Sequence, residues 1–106
     1  MGVKKETDLI YMDFIDITDS YLGDLIEDVV TRFYSELDLS DEYGELLEFI
    51  SSKMIEGLFG KESTPDPSAY ESKLRRLVGR SNRTKLMNVI SYLVSQYIAS
   101  TREENE

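Results

Sequence analysis

The densest group of chemically active side chains in this sequence is basic. Six of the twelve lysines and arginines lie between residues 71 and 85, in a chain whose formal net charge is -9. They are Lys73, Arg75, Arg76, Arg80, Arg83 and Lys85. Guanidinium and ammonium groups at this density bind phosphates and carboxylates. The stretch could therefore contact nucleic acid or another anion, and the predicted contacts are Lys73, Arg76, Arg80, Arg83 and Lys85.

A predicted helix boundary divides these cations into two groups. Arg75, Arg76 and Arg80 lie at or just past a predicted helix C-terminus, where each cation offsets the helix dipole by about 0.3 to 1 kcal/mol. Arg83 and Lys85 lie in the first turn of the next helix, where the dipole disfavours cations. Two interpretations follow: these two residues form a small anion site with the helix amides, or they pair with the chain's own acidic half.

The same stretch has the outline of a helix-turn-helix unit. One helix is predicted to close at Gly79, and another to begin after Ser81 or Asn82 as N-cap. Three positions that this motif usually fills with small or aliphatic residues carry cations instead: Arg75, Arg80 and Lys85. A nucleic-acid-binding subunit of a larger assembly, using residues 73–85, is therefore an alternative function.

Most catalytic and metal chemistry is closed to this chain by its composition. It contains neither histidine nor cysteine, which excludes Ser-His and Cys-His nucleophile pairs and ordinary zinc sites. A calcium loop that begins at Asp38 would need glycine at its sixth position, which is Tyr43. A Ser-Lys pair or a carboxylate dyad remains compatible with the composition, but no diagnostic spacing supports one. We therefore predict no catalytic residue, no metal site, no cofactor and no enzymatic activity.

The first half of the chain carries the opposite charge. Residues 1 to 48 contain fourteen acidic and three basic residues. Six of these acids are predicted to form a partner-binding acidic face: Asp24, Glu27, Asp28, Asp41, Glu45 and Glu48. Phe49 and Tyr92 lie off the apolar stripes of their helices and are predicted to be exposed aromatic contacts. A solvated helix surface is the simpler interpretation of such charges.

The positions of the apolar residues predict helices along most of the chain. Residues 8–17 fit both a strand and a helical period, and we favour a helix that is interrupted near Thr18. A clear helical stripe follows, and its members are Leu22, Leu25, Ile26, Val29, Val30, Phe33 and Leu37. The last predicted helix has a similar stripe, formed by Leu86, Val89, Ile90, Leu93, Val94 and Tyr97. Both stripes are expected to face the core.

Turn and cap residues predict the ends of the middle helices. Ser40 is a predicted N-cap, and the helix that follows should end near Gly57 or Gly60. Ser68 with Glu71 forms a capping-box signature for a short helix. The predicted fold is all-α: a small four- or five-helix bundle, mainly antiparallel, with a helix-Gly-helix unit near the C-terminus. Residues 1–106 should form one domain, with frayed ends at 1–7 and 101–106.

Charge and composition together predict a protein that acts by binding. The leading expectation is a small acidic interaction protein, of the inhibitor, immunity, antitoxin or adaptor type, whose partner is a protein with a basic surface. Self-assembly, with acidic and basic regions of two copies in contact, is a third possibility. A cytoplasmic location without membrane contact is expected, because cysteine is absent and the longest uncharged run has only sixteen residues, 86–101.

Overall fold

The chain is helical along nearly its whole length. In the computed structural model, the backbone is described for residues 2–62 and 64–105, and the side chains for 12–62, 64–79 and 81–101. The elements are α1 (Gly2–Phe33), α2 (Leu39–Phe59), α3 (Pro67–Leu77), a 3-10 turn (Arg80–Asn82) and α4 (Arg83–Asn105). No strand occurs in the described ranges. The predicted all-α class is confirmed, with four α-helices; fraying at 1–7 and 101–106 stays a prediction, because those side chains lie almost entirely outside the described residues.

Helix α1 settles the ambiguity of residues 8–17 in favour of a helix. It runs without a break through Thr18, where an interruption was predicted. The hydroxyl of Thr18 donates a hydrogen bond of 2.9 Å to the carbonyl of Phe14, one turn earlier, so this polar side chain is accommodated inside the helix. The helix ends at Phe33, and Leu37 is buried in the connection that follows.

The predicted N-caps of α2 and α3 are each wrong by two residues. Helix α2 is capped by Asp38, whose carboxylate accepts a hydrogen bond of 3.0 Å from the backbone N–H of Ser40. Helix α3 begins at Pro67 rather than after Ser68, with Asp66 as its N-cap residue. Proline suits the first helical position, because its fixed φ is already helical and the missing N–H would have no partner there.

The ends of α2 and α3 lie close to the predicted glycines. Gly60 follows α2 with φ of 95° and donates its N–H to the carbonyl of Glu56 at 2.9 Å, a conformation that favours glycine. Gly79 follows α3, but the 3-10 turn separates it from α4. Helix α4 begins at Arg83, directly after Asn82, which was one of its two predicted N-caps. The side-chain amide of Asn82 donates to the carbonyl of Arg76 at 3.4 Å.

Helix α1 is the centre of the packing, because it contacts α2, α3 and α4, while α2 also contacts α4. Leu22, Ile26 and Val29 on α1 are fully buried, as their stripe predicts. Two members of the predicted stripes are exposed instead: Phe33 at 60% and Val89 at 43%. Phe33 is the last residue of its helix, and Val89 faces an open groove described below.

A cluster of three hydroxyls lies inside this apolar core. Thr18 and Ser51 are fully buried, and so is the side chain of Tyr70. The Oγ of Ser51 donates to the Oγ1 of Thr18 at 2.8 Å, and the hydroxyl of Tyr70 lies 2.6 Å from the same oxygen. Since the proton of Thr18 is directed at Phe14, Tyr70 must donate to Thr18. The cluster joins α1, α2 and α3 with every hydroxyl partnered.

Candidate functional site

Carboxylates of α1 meet α2 around the phenol of Tyr43. The hydroxyl of Tyr43 donates to the carboxylate of Asp19, 24 residues earlier. Burial, this hydrogen bond and the negative charges of Asp19, Glu27 and Asp24 raise the pKa of Tyr43 well above its usual value. Gly23 leaves room for this contact, since a Cβ at that position would be only 2.7 Å from the carboxylate oxygen of Asp19.

A second group of carboxylates surrounds Tyr97 of α4. The hydroxyl of Tyr97 donates to the carboxylate of Glu45 at 3.2 Å. Burial, together with the charges of Glu45 and Glu42, raises the pKa of Tyr97 to about 12. Glu48 and Phe49 share a shallow pocket with Glu45 and Tyr97. We define the acidic face by both groups: Asp19, Asp24, Glu27, Glu42, Glu45 and Glu48.

Four of the six acids that were predicted to bind a partner belong to these two groups; their role in binding stays a prediction. Asp24, Glu27, Glu45 and Glu48 are all exposed. Asp28 instead forms an ion pair with Arg32 on its own helix, with 3.0 Å between the nitrogen and the oxygen. Asp41 is exposed in the first turn of α2, where the helix dipole stabilises a carboxylate. Asp19 and Glu42 were missed, because their roles depend on contacts with Tyr43 and Tyr97 that sequence spacing does not reveal.

The two predicted exposed aromatics differ in their environment. Tyr92 is 61% exposed, as predicted. Phe49 is half-buried, so its predicted exposure is wrong. Its ring packs edge-on against Tyr97, with 5.7 Å between the centroids, and Lys53 Nζ lies 5.6 Å from its centroid. The ring of Tyr97 and the ammonium group of Lys53 therefore shield the Phe49 ring, which the helical pattern alone predicts to be exposed.

The described cations of the basic stretch differ in their surroundings. Arg75 contacts Glu71 at 3.7 Å and the hydroxyl of Tyr21 at 3.3 Å. The Tyr21 hydroxyl and the nearby Glu71 carboxylate raise the pKa of Arg75. Lys73 Nζ lies 5.7 Å from the centroid of the Phe59 ring, and Arg76 is exposed. The side chain of Arg80 lies outside the described residues.

Arg83 and Lys85 begin α4, as the sequence predicts, and both are exposed. Neither forms an ion pair with any carboxylate among the described side chains. Arg83 shares a small pocket with Asp24 and Tyr21, but its guanidinium is not within the 4.0 Å of an ion pair there. Pairing of these two cations with the acidic half is therefore not found in the described part of the chain.

An apolar groove lies where the end of α2, the end of α3 and the first turns of α4 meet. Its volume is about 390 Å³. Seven of its lining residues are apolar or glycine: Met54, Gly57, Leu58, Leu77, Leu86, Val89 and Leu93. The other three are Lys53, Asn82 and Lys85. Sequence reasoning missed the groove, although Gly57 within an apolar helix stripe was a signal that a side chain is absent there.

The described part of the chain shows neither a metal centre nor a membrane span. The described residues contain no group of three or more acidic side chains placed to hold a metal ion. None of the helices, as far as they are described, is long and apolar enough to cross a membrane. No protein-family model, curated protein or solved structure matches this chain, so no function passes to it from a relative.

Proposed function

We propose that this chain is a non-enzymatic interaction protein whose acidic face binds a basic surface on another protein. The observation that carries the proposal is the exposure of Asp24, Glu27 and Glu48 without an ion pair to any described cation. Six carboxylates on the neighbouring helices α1 and α2, three of them near Tyr43 and three near Tyr97, offer acceptors for arginine and lysine. Inhibitor, immunity, antitoxin and adaptor proteins are the types that such a surface suits.

The scaffold of this face is proposed to be an antiparallel bundle. Glu45 and Phe49 of α2 contact Tyr97 of α4, whereas Leu58, later in α2, shares the groove with Leu86, earlier in α4. Residue numbers thus rise along α2 as they fall along α4, which supports an antiparallel pair. One domain, a helix-Gly-helix unit around Gly79 and a cytoplasmic location complete the proposal; the location rests on the cysteine-free composition.

A capture experiment with charge-matched variants tests the proposed function. The acidic-face variant carries Asp24→Asn, Glu27→Gln and Glu48→Gln. The control variant carries Glu36→Gln, Glu62→Gln and Asp66→Asn, three exposed carboxylates that are not members of the acidic face. Since both variants remove three negative charges, a difference in the amount of partner captured must come from the position of the carboxylates and not from the net charge.

The proposal predicts a basic protein that wild type and the control variant capture from the source cell lysate, with nucleic acid digested. The acidic-face variant should lose it, and so should wild type at 500 mM salt, because exposed charge pairs are screened. Equal capture by the two variants, or no capture by wild type, would contradict the proposed function.

Nucleic-acid binding is a second candidate, favoured by the exposure of Arg76, Arg83 and Lys85 without ion pairs to described acids. Wild type should then be retained on an immobilised nucleic acid at about 100 mM salt. Charge reversal of Arg76, Arg83 and Lys85 should abolish that retention. A wild type that passes through the column unretained would rule this candidate out.

Self-association is a third candidate, because acidic and basic side chains are both exposed on one chain. A contact between the acidic face of one copy and the basic stretch of another would weaken as salt rises. The mass measured by light scattering should therefore fall with salt. A monomer at every protein and salt concentration would exclude it.

A further inference from the structure

The groove between α2, α3 and α4 is a concave apolar site that the proposed function does not use. At about 390 Å³ it falls within the 300 to 1,000 Å³ range of pockets that take small ligands. Val89 is 43% exposed there. Exposed apolar surface in a concave setting favours an apolar ligand, because burying that surface releases water.

The polar residues at the groove specify the charge of the ligand. Lys53 is already engaged with the ring of Phe49, at 5.6 Å. The amide of Asn82 is engaged with the carbonyl of Arg76, at 3.4 Å. Lys85 is exposed and has no ion pair to a described acid. Lys85, a cation that the helix dipole disfavours in the first turn of α4, therefore borders the groove without an ion pair to any acid in the described part of the chain.

We propose that this groove binds a free aliphatic carboxylic acid of medium length, with its carboxylate at Lys85 and its alkyl chain along Leu86, Val89 and Leu93. From Lys85 to Leu93, α4 rises about 12 Å, which suits an extended chain of that kind. Charge complementarity selects the head group, and the apolar walls select the tail. A partner helix fits less well, because a stable protein interface buries about 1,200 Å² or more in total and this groove is confined to one three-helix junction.

Gly57 offers a way to close the groove without disturbing the fold. It lies within α2 at the groove wall, and a Cβ there would meet nothing within 4 Å. Gly44, also in α2, has the same open surroundings but does not line the groove. Gly57→Leu is therefore the blocking variant, and Gly44→Leu is its matched control. Circular dichroism and melting temperature confirm that both remain folded.

The probes are decanoate, octanoate, decanol and decyltrimethylammonium, each below its micelle concentration, and a helical peptide with a leucine stripe flanked by glutamates. Binding is measured by calorimetry and by shifts in amide NMR spectra. Decanoate should bind most tightly, and octanoate more weakly by up to about fourfold for each missing methylene. Amide shifts should concentrate at residues 53–58 and 82–93.

The variants should distinguish the contribution of the alkyl chain to binding from that of the carboxylate. Gly57→Leu should weaken decanoate binding at least tenfold, and Gly44→Leu should leave it unchanged. Lys85→Gln should weaken decanoate by up to about fivefold but leave decanol unaffected, because only the acid has a charge to lose. The proposal is overturned if decanoate fails to bind, if it binds Gly57→Leu as well as wild type, or if decyltrimethylammonium binds as tightly. Binding of the peptide without decanoate would assign the groove to a partner helix instead.

Discussion

The hydroxyl of Thr18 is the hub of the buried cluster that joins α1, α2 and α3. It donates to Phe14 and accepts from Ser51 and Tyr70, so all of its hydrogen-bonding capacity is used. Replacing Thr18 by valine keeps the shape of the side chain but removes the shared acceptor. The hydroxyls of Ser51 and Tyr70 are then left in the core without their partner.

The size of the effect depends on how many buried hydroxyls lose their partner. Each buried hydroxyl that loses its partner costs about 1 to 3 kcal/mol. Because Ser51 and Tyr70 lie close enough to bond each other, Thr18→Val should lower the free energy of unfolding by about 1 to 3 kcal/mol, the cost of one unpaired hydroxyl. Tyr70→Phe removes a single donor and leaves Thr18 bonded to two other groups, so it should cost about 0.5 to 1.5 kcal/mol. The triple variant Thr18→Val, Ser51→Ala, Tyr70→Phe removes every unpaired hydroxyl and should be more stable than Thr18→Val alone.

Urea unfolding at pH 7, followed by circular dichroism and extrapolated to water, measures these differences. The slope of free energy against urea should stay unchanged among the variants, which shows that the same surface is exposed on unfolding. The reasoning is refuted if Thr18→Val costs no more than Tyr70→Phe. It is also refuted if the triple variant is less stable than Thr18→Val.

Two further predictions concern pH and glycine. The pKa of Tyr70 and that of Tyr97 are each about 12 in the folded chain, against about 10 in the unfolded chain. Their contribution to stability is therefore complete below about pH 10 and is lost as the pH rises towards 12. Urea unfolding at a series of pH values should show this loss of stability, and a stability that does not change with pH would contradict it. Gly57→Ala should raise the free energy of unfolding by about 0.5 to 1 kcal/mol, because the helix there has open space. Gly60→Ala should lower it, because φ is 95° at that position, and thermal melts that shift both variants in the same direction would refute this contrast.

Local features of the fold could be predicted from the sequence, because apolar periodicity records which side of a helix is buried. The stripe of α1 from Leu22 to Val30 is buried as its spacing predicts, and Gly60 is one of the two glycines predicted to end α2. The N-caps were misplaced because Asp38 and Ser40 are both good caps, and the choice between them depends on backbone geometry. The exposure of Val89 could not be predicted from its position in the apolar stripe of α4. Val89 lines the groove, where Gly57 of α2 has no side chain to cover it.

The candidate sites depend on pairs of residues that are distant in sequence. Asp19 and Tyr43 are 24 residues apart, and Glu45 and Tyr97 are 52 apart, so no local pattern brings them together. The anomaly of Lys85 was visible in the sequence as a cation in a first helical turn. The apolar groove beside Lys85 could not be predicted from the sequence, because residues of three helices form it.

The association rate constant of the captured basic protein with the charge-matched variants is the most direct test of the acidic face. Electrostatic steering acts mainly on this rate, so the variant lacking Asp24, Glu27 and Glu48 should associate roughly tenfold more slowly at 50 mM salt. Its rate should also depend less on salt than that of wild type. The control variant should associate nearly as fast as wild type. Equal association rates for the two variants across the salt series would contradict the proposal that this face carries the function.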